Sequence, residues 1–284
     1  MYKHIGLVDL MGGLGNQIFQ LNFANYLKRR GFKVYVNLSW FNSDIFNDGT
    51  TKRNLQLNPS DFELNEVNES TEKKFLRIEN LLNTKLINKL AARILKESYY
   101  LHSGHLFNEE NIKKYNRFSG YWQNEKYLVG QKTFLLNSLN KTSHFNENLN
   151  KPNKKTLIHI RKTDYLKLDE ELSEAFYINA IKEIIDEDKK MKYDIFTDEK
   201  NPSLDSNLYK NAENVNINSG ENPLTTISKM MNYKNYIIAN STFSLLPAYL
   251  SYKSDSIVIY PKPWFKHSEF NPPVEQTWRS ISDN

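Results

Sequence analysis

The chain has 284 residues, 39% hydrophobic and 25% charged, the balance of a globular enzyme of two modest domains or one large one rather than of a disordered chain. It contains no cysteine, which excludes disulfides, thiolate zinc sites and cysteine nucleophiles and points to a reducing cytoplasm. A net charge of +5 suits nucleic acid or anionic lipid, but a pocket for a pyrophosphate accounts for part of it equally well, so charge alone selects no partner.

The opening MYKHIGLVDLMGG is broken by Asp9 and by glycines too soon for a signal peptide or a membrane span, and no later segment is apolar for long enough. Residues 3–9 read as a strand, followed by a glycine turn. A helical pattern then runs from Asn16 to Arg30, with Ile18, Leu21, Phe23 and Leu27 on one face and Gly31 at its end. Residues 33–38 are the next strand, which completes the repeating unit of a parallel α/β sheet. Residues 72–97 read as a long basic amphipathic helix carrying Lys73, Lys74, Arg77, Lys85, Lys89, Arg93 and Lys96. Its two readings are a solvated face and peripheral contact with the inner face of a membrane that holds a lipid-linked acceptor.

The Asn-rich stretch from Asn140 to Lys155, broken by Pro152, has the composition of a linker, so the expected domains are 1–150 and 151–284. Alternation resumes with a strand at 156–160, a helix at 171–187, a strand at 193–196 and a short helix after Pro202. Strand NVNI, a helix at 223–232, a strand at 235–240, a helix at 242–252 and a strand at 256–260 follow. The expected architecture is two doubly wound α/β domains facing across a cleft, with ligands beyond the carboxyl ends of the strands.

Each motif has a chemical and a bland reading. In the turn MGGLGNQ, Gly13, Gly15 and Gln17 are candidate donor contacts and Asn16 a candidate catalytic amide, because a glycine turn opening a helix can hold a phosphate. A tight turn alone is the other reading. Nicotinamide dinucleotide binding is disfavoured, since Gln17 fills the third glycine position and the second strand ends in Asn37. HIRKTDY gathers His159, Arg161, Lys162 and Asp164 at a strand's carboxyl end, where Arg161 and Lys162 can neutralise a pyrophosphate leaving group. A solvated loop of surface ion pairs is the alternative. FTDE places Asp198 and Glu199 where a carboxylate can accept from guanine or cap a helix, and NSTFS offers Asn240, Ser241, Thr242, Phe243 and Ser244 to a phosphate or nucleoside, with Ser241 or Thr242 alternatively a plain N-cap. Recurrence on three strands of the second half lifts all three motifs. Tyr121, Trp122 and Gln123 are candidate acceptor contacts, an aromatic face suiting a pyranose, or else a core aromatic corner. His102, His105 and His144 show no metal-ligand or triad pattern.

GGLGNQIFQ, GYWQNEKY, HIRKTDY, FTDE and ANSTFS, in this order from Gly12 to about Phe265, resemble the α-1,2-fucosyltransferases, glycosyltransferase family 11. The resemblance implies a GT-B-like fold of two Rossmann-type domains, with the acceptor side and glycine loop in the first and donor binding in the second. It implies GDP-β-L-fucose as donor, a galactoside acceptor in bacterial surface glycan synthesis, inversion to an α-1,2-linked fucoside, and neither metal nor cofactor. Arg161 then matches the arginine on the donor β-phosphate, His159 with Asp198 and Glu199 lies where guanine is recognised, and Asn16 sits in the loop that meets the donor. Two departures stand out: Lys162 and Thr163 replace the usual Arg and Gly, and Leu245 and Leu246 replace Trp-Trp, which opens specificity to another GDP-deoxyhexose such as colitose.

The second half carries no Asp-x-Asp at the end of an expected strand, its one such triplet, Asp186-Glu187-Asp188, falling where the helix at 171–187 closes, so charge stabilisation falls to Arg161, Lys162 and helix N-termini. Asp164, Asp169 and Glu170 are the nearby carboxylates able to take the acceptor's proton. The rival classes are a basic nucleic-acid binder, which leaves the strand-end motifs without a role, and a nicotinamide-linked oxidoreductase.

Overall fold

The structure, a computed structural model, describes residues 4–42, 53–68, 100–102, 109–149, 151–217 and 220–283. The basic helix expected over 72–97, and His105, lie outside the described residues. Contacts divide the chain into two compact units, Met1–Gln123 and Asn124–Asn284.

In the first unit, β1 (His4–Asp9), β2 (Phe32–Asn37), β3 (Asn65–Glu66), β4 (Tyr100–His102) and β5 (Arg117–Ser119) form a parallel sheet in the order β3-β2-β1-β5-β4. Its winding reverses between β1 and β5. Helices of eight residues or more are numbered, beginning with α1 (Leu14–Arg29), which closes at Gly31, a residue held at φ +89°. The single apolar face read from the sequence understates this helix, because Gln17, Gln20 and Asn22 are buried with Ile18, Phe19, Leu21, Phe23 and Leu27. A helix hidden on most of its sides needs partners for its amides, and these organise the site described below.

The second unit holds β6 (Thr156–Ile160), β7 (Tyr193–Thr197), β8 (Asn214–Ile217), β9 (Asn235–Ile237), β10 (Val258–Pro261) and β11 (Arg279–Ile281), all parallel, in the order β11-β10-β9-β6-β7-β8. From β6 the chain winds outward through β7 and β8, then returns to build β9, β10 and β11 on the other side. This is the doubly wound pattern, with its reversal between β6 and β9. Helices α2 (Lys132–Leu139), α3 (Glu174–Glu187), α4 (Pro223–Met230) and α5 (Thr242–Ser251) belong to the same unit. On one sheet face, Ile158, Ile160, Ile195, Ile237 and Ile259 pack with Phe176, Tyr177, Ala180 and Ile184 of α3, whose first turn is capped by Ser173. Each such large apolar side chain contributes about 1.5–3 kcal/mol on burial. The alternating residues of the same strands face the other way, His159 among them.

The division falls at Gln123, earlier than the linker composition suggests, because residues 124–153 are tied into the second unit. Tyr249 Oη donates to Leu128 O at 2.9 Å, and Lys132 Nζ donates to Tyr252 O at 2.9 Å. Asn232 accepts from Lys151 N at 3.1 Å and from Asn153 N at 2.8 Å. Strands β3, β4, β5 and β11 escape the sequence reading since two or three residues show no periodicity. Among the described residues, no helix is long and apolar enough to cross a membrane.

Candidate active site

Strand parity carries His159 and then Arg161 to the sheet face opposite Ile158 and Ile160. Because Ile160 pairs with Thr197 and Ile158 with Ile237, continuing both registers sets Arg161 between Asp198 and Asn240 at the carboxyl rim. Arg161 Nη1 lies 3.0 Å from Asp198 Oδ2, and Nη2 lies 2.7 Å from the Asp164 carboxylate. Asp198 also accepts from Lys162 N at 2.8 Å, Thr163 N at 3.4 Å and Thr163 Oγ1 at 2.7 Å. Burial disfavours both charges, but Arg161, helped by these hydrogen bonds, holds the Asp198 carboxyl below its usual range. The same two carboxylates outweigh burial at Arg161 and raise its pKa. The Tyr165 ring lies 5.5 Å from the Arg161 guanidinium carbon, and its hydroxyl donates to Asn240 O at 2.9 Å. Asp198 thus shapes the 161–163 loop and orients Arg161.

Buried polar atoms without partners gather at this spot: both ring nitrogens of His159, Arg161 Nε and Asn240 Oδ1. Native proteins rarely leave such groups unsatisfied, since each costs about 1–3 kcal/mol. Their meeting at the winding reversal, where doubly wound sheets bind ligands, makes this the candidate binding site of the second unit. Burial first, then the positive charge of Arg161, push His159 down to about 3, with Asp198 opposing. An unfolded histidine titrates near 6.5, so below that pH the unfolded chain takes a proton that the native site refuses. Stability is expected to fall by up to about 1.4 kcal/mol per pH unit from pH ~6.5 toward ~3, with no such loss above 6.5. Urea denaturation of wild type and His159→Gln checks this: the variant should lose that part of the slope, and identical slopes refute a buried neutral imidazole.

The remaining residues divide by availability. Lys162, Thr242 and Phe243 are half-buried on the rim, the Phe243 ring 5.9 Å from that of His159. Glu199 is half-buried and accepts from Tyr209 Oη at 3.0 Å. Ser241 is the N-cap of α5, its Oγ accepting from Phe243 N. Ser244 is fully buried with its hydroxyl on the carbonyls of Ala239 and Ser241, which corrects its reading as a donor contact. Leu245 and Leu246 are fully buried, so the departure from Trp-Trp lies in the core of this unit. Glu170, read as a candidate base, is buried with both oxygens on backbone N–H groups of Lys266 and His267.

In the first unit, the glycine turn and the loop after β5 meet at the reversal between β1 and β5. Gln20 joins them, accepting from Met11 N and donating to Gly120 O, each at 3.0 Å. Asn16 Oδ1 accepts from Gln123 Nε2 at 2.7 Å, and Tyr121 beside it is 45% exposed. Gly12, which the motif reading passed over, is the constrained glycine: its φ is +79° and an added Cβ would lie 2.8 Å from Asn16 Nδ2. Gly13 is the helix N-cap with open space where a Cβ would stand, whereas Gly15 is buried in the first turn. Gln17 is fully buried and its amide serves Gly12 O, Asn54 O and Gln56 N, which corrects its reading as a donor contact. Trp122 is 2% exposed and stacked on Phe23 at 3.7 Å between ring centroids, which corrects its reading as an acceptor platform. The reading also missed Thr163 and Tyr165, although both stand inside HIRKTDY.

The sequence pattern of the family described as "Glycosyl transferase family 11" matches residues 8–280. The chain is 26% identical to an Escherichia coli protein named alpha-1,2-colitosyltransferase, over 98% of this chain and 99% of that one. It is 27% identical to O-antigen biosynthesis glycosyltransferase WbnK of Escherichia coli, over 96% and 99%. Among solved structures, it is similar to the E. coli heptosyltransferase WaaC with ADP, at TM-score 0.42 and 10% identity over 97% and 92% of the chains. A glycosyl transferase family 9 structure from Veillonella parvula gives 0.39 and 8% over 99% and 87%.

Proposed function

The chain belongs to glycosyl transferase family 11, and from that premise we propose that it transfers L-fucose from GDP-L-fucose to a galactoside hydroxyl, with inversion, in an α-1,2 linkage. The proposed setting is surface-glycan synthesis at the cytoplasmic face of a membrane, in keeping with the O-antigen role in the name of one relative. The observation that carries the donor assignment is the set of orphaned polar atoms around Arg161 where the second sheet reverses.

In the proposed reaction the acceptor oxygen bonds to the anomeric carbon as the bond from that carbon to the β-phosphate oxygen breaks. The electron pair leaves with the diphosphate, and the hydroxyl proton passes to a carboxylate, Asp164. A guanidinium has five N–H groups, so Arg161 retains donors for phosphate while it holds Asp164 and Asp198. Charge on the leaving group is met by Arg161 and Lys162 in place of a divalent cation. His159, Glu199, Ser241, Thr242 and Phe243 are assigned to the nucleotide. Asn16, Gly13, Tyr121 and Gln123 are assigned to sugar hydroxyls.

A second reading, colitose as the transferred sugar, is favoured by the similarity to a protein named for it. Colitose lacks the 3-hydroxyl of fucose, so a site built to bond that hydroxyl discriminates strongly between the two donors. Purified protein incubated with GDP-fucose or GDP-colitose and a panel of galactosides in EDTA, with GDP release followed, tests both readings. Turnover that survives EDTA is expected; strict Mg²⁺ dependence contradicts the mechanism, and a kcat/KM higher for GDP-colitose replaces the first donor with the second.

A further inference from the structure

One buried carboxylate near the rim is given over to backbone. Asp169, in the left-handed region at φ 55°, ends the helical turn Tyr165–Leu168, and the reversal sends Glu170 N back to Tyr165 O at 3.0 Å. Glu170 Oε2 then accepts from Lys266 N at 2.7 Å, and Oε1 accepts from His267 N at 3.3 Å. The neighbouring Asp169 carboxylate reaches His267 Nε2 at 3.1 Å. On its other side, the Glu170 carbonyl accepts from Asn240 Nδ2 at 2.8 Å, and Asn240 O accepts from the Tyr165 hydroxyl. The segments that follow β6, β9 and β10 are thus joined through one residue, and the joined frame includes the tyrosine whose ring faces Arg161.

We infer that Glu170 is a positioning residue for the donor: it clamps the Lys266–His267 segment to the Asn240–Tyr165 frame and so presets the rim that meets the nucleotide diphosphate. The inference rests on the reading of the second unit as the donor unit. A carboxylate that accepts two successive N–H groups holds a loop in one geometry, and affinity gained in this way comes from ordering done before the ligand arrives. Without the clamp the diphosphate must order the loop itself. Donor affinity then falls, while the chemistry at saturating donor changes little.

Calorimetric titration with GDP, at equal folded fraction, is the test. Glu170→Ala is expected to bind GDP at least about tenfold more weakly, with the donor KM rising in step and kcat changing less than about threefold. Glu170→Gln keeps one acceptor oxygen and should fall between that variant and wild type. If Glu170→Ala does not fold, Glu170→Gln decides on the same readout, a severalfold loss supporting the clamp and unchanged affinity overturning it. GDP affinity unchanged in a folded Glu170→Ala overturns the clamp and leaves the donor reading standing. Wild type that binds no GDP removes the donor reading and the clamp together.

Discussion

Arg161→Ala is expected to lower glycosyl transfer per folded molecule at least about a hundredfold, the loss that follows removal of one preorganised donor to a developing anion. Two effects act in the same direction. The departing diphosphate loses its fixed guanidinium, and the carboxylates of Asp164 and Asp198, at 2.7 and 3.0 Å from that guanidinium in the native site, are left facing an anion without a counter-charge. Breaking a largely buried ion pair also destabilises the fold by about 3–5 kcal/mol, so activity must be normalised to folded protein. Arg161→Lys restores one positive charge but not a planar fork able to hold two carboxylates and still offer Nε–H, and it is expected to recover little of the rate. Wild-type turnover in either variant would remove Arg161 from the mechanism.

For Asp164→Asn the two kinetic quantities should move apart. If Asp164 takes the acceptor's proton, kcat falls by about 10²–10⁴, the usual worth of a positioned base. GDP binding, however, should hold or tighten, because the neutral amide accepts more weakly from Arg161 Nη2 and no longer sets a negative charge beside the phosphate. Parallel losses in kcat and in GDP affinity would instead mean that Asp164 only orients Arg161. Pre-steady-state GDP release and calorimetry on the same preparation separate the two outcomes.

The HIRKTDY cluster is legible from the chain alone because a strand recognisable by its apolar run ends in titratable groups, which a buried strand has no packing reason to carry. The same chemistry cannot say which carboxylate is occupied. Asp198, Asp164 and Glu170 look alike in the sequence, yet Asp198 is enclosed by Lys162 N, Thr163 and Arg161, Asp164 is paired with Arg161, and Glu170 is held by backbone from Lys266 and His267. Trp122 and Gln17 mislead for a related reason. An aromatic beside a glycine and an amide at a helix start suit a ligand or a core equally, and only Phe23, Asn54 and Gln56, distant in sequence, decide which.

What the sequence determined by itself is the local chemistry: alternating strands and helices of a parallel α/β protein, a glycine turn opening a helix, and polar residues at the ends of β6, β7 and β9. These depend on neighbours a few residues away, through periodicity and backbone preference. The tertiary structure alone decided that β9, β6 and β7 lie side by side although β8 falls between β7 and β9 in the chain. That order sets Arg161 between Asp198 and Asn240, since strand pairing is made by hydrogen bonds between segments that nothing in the local sequence links.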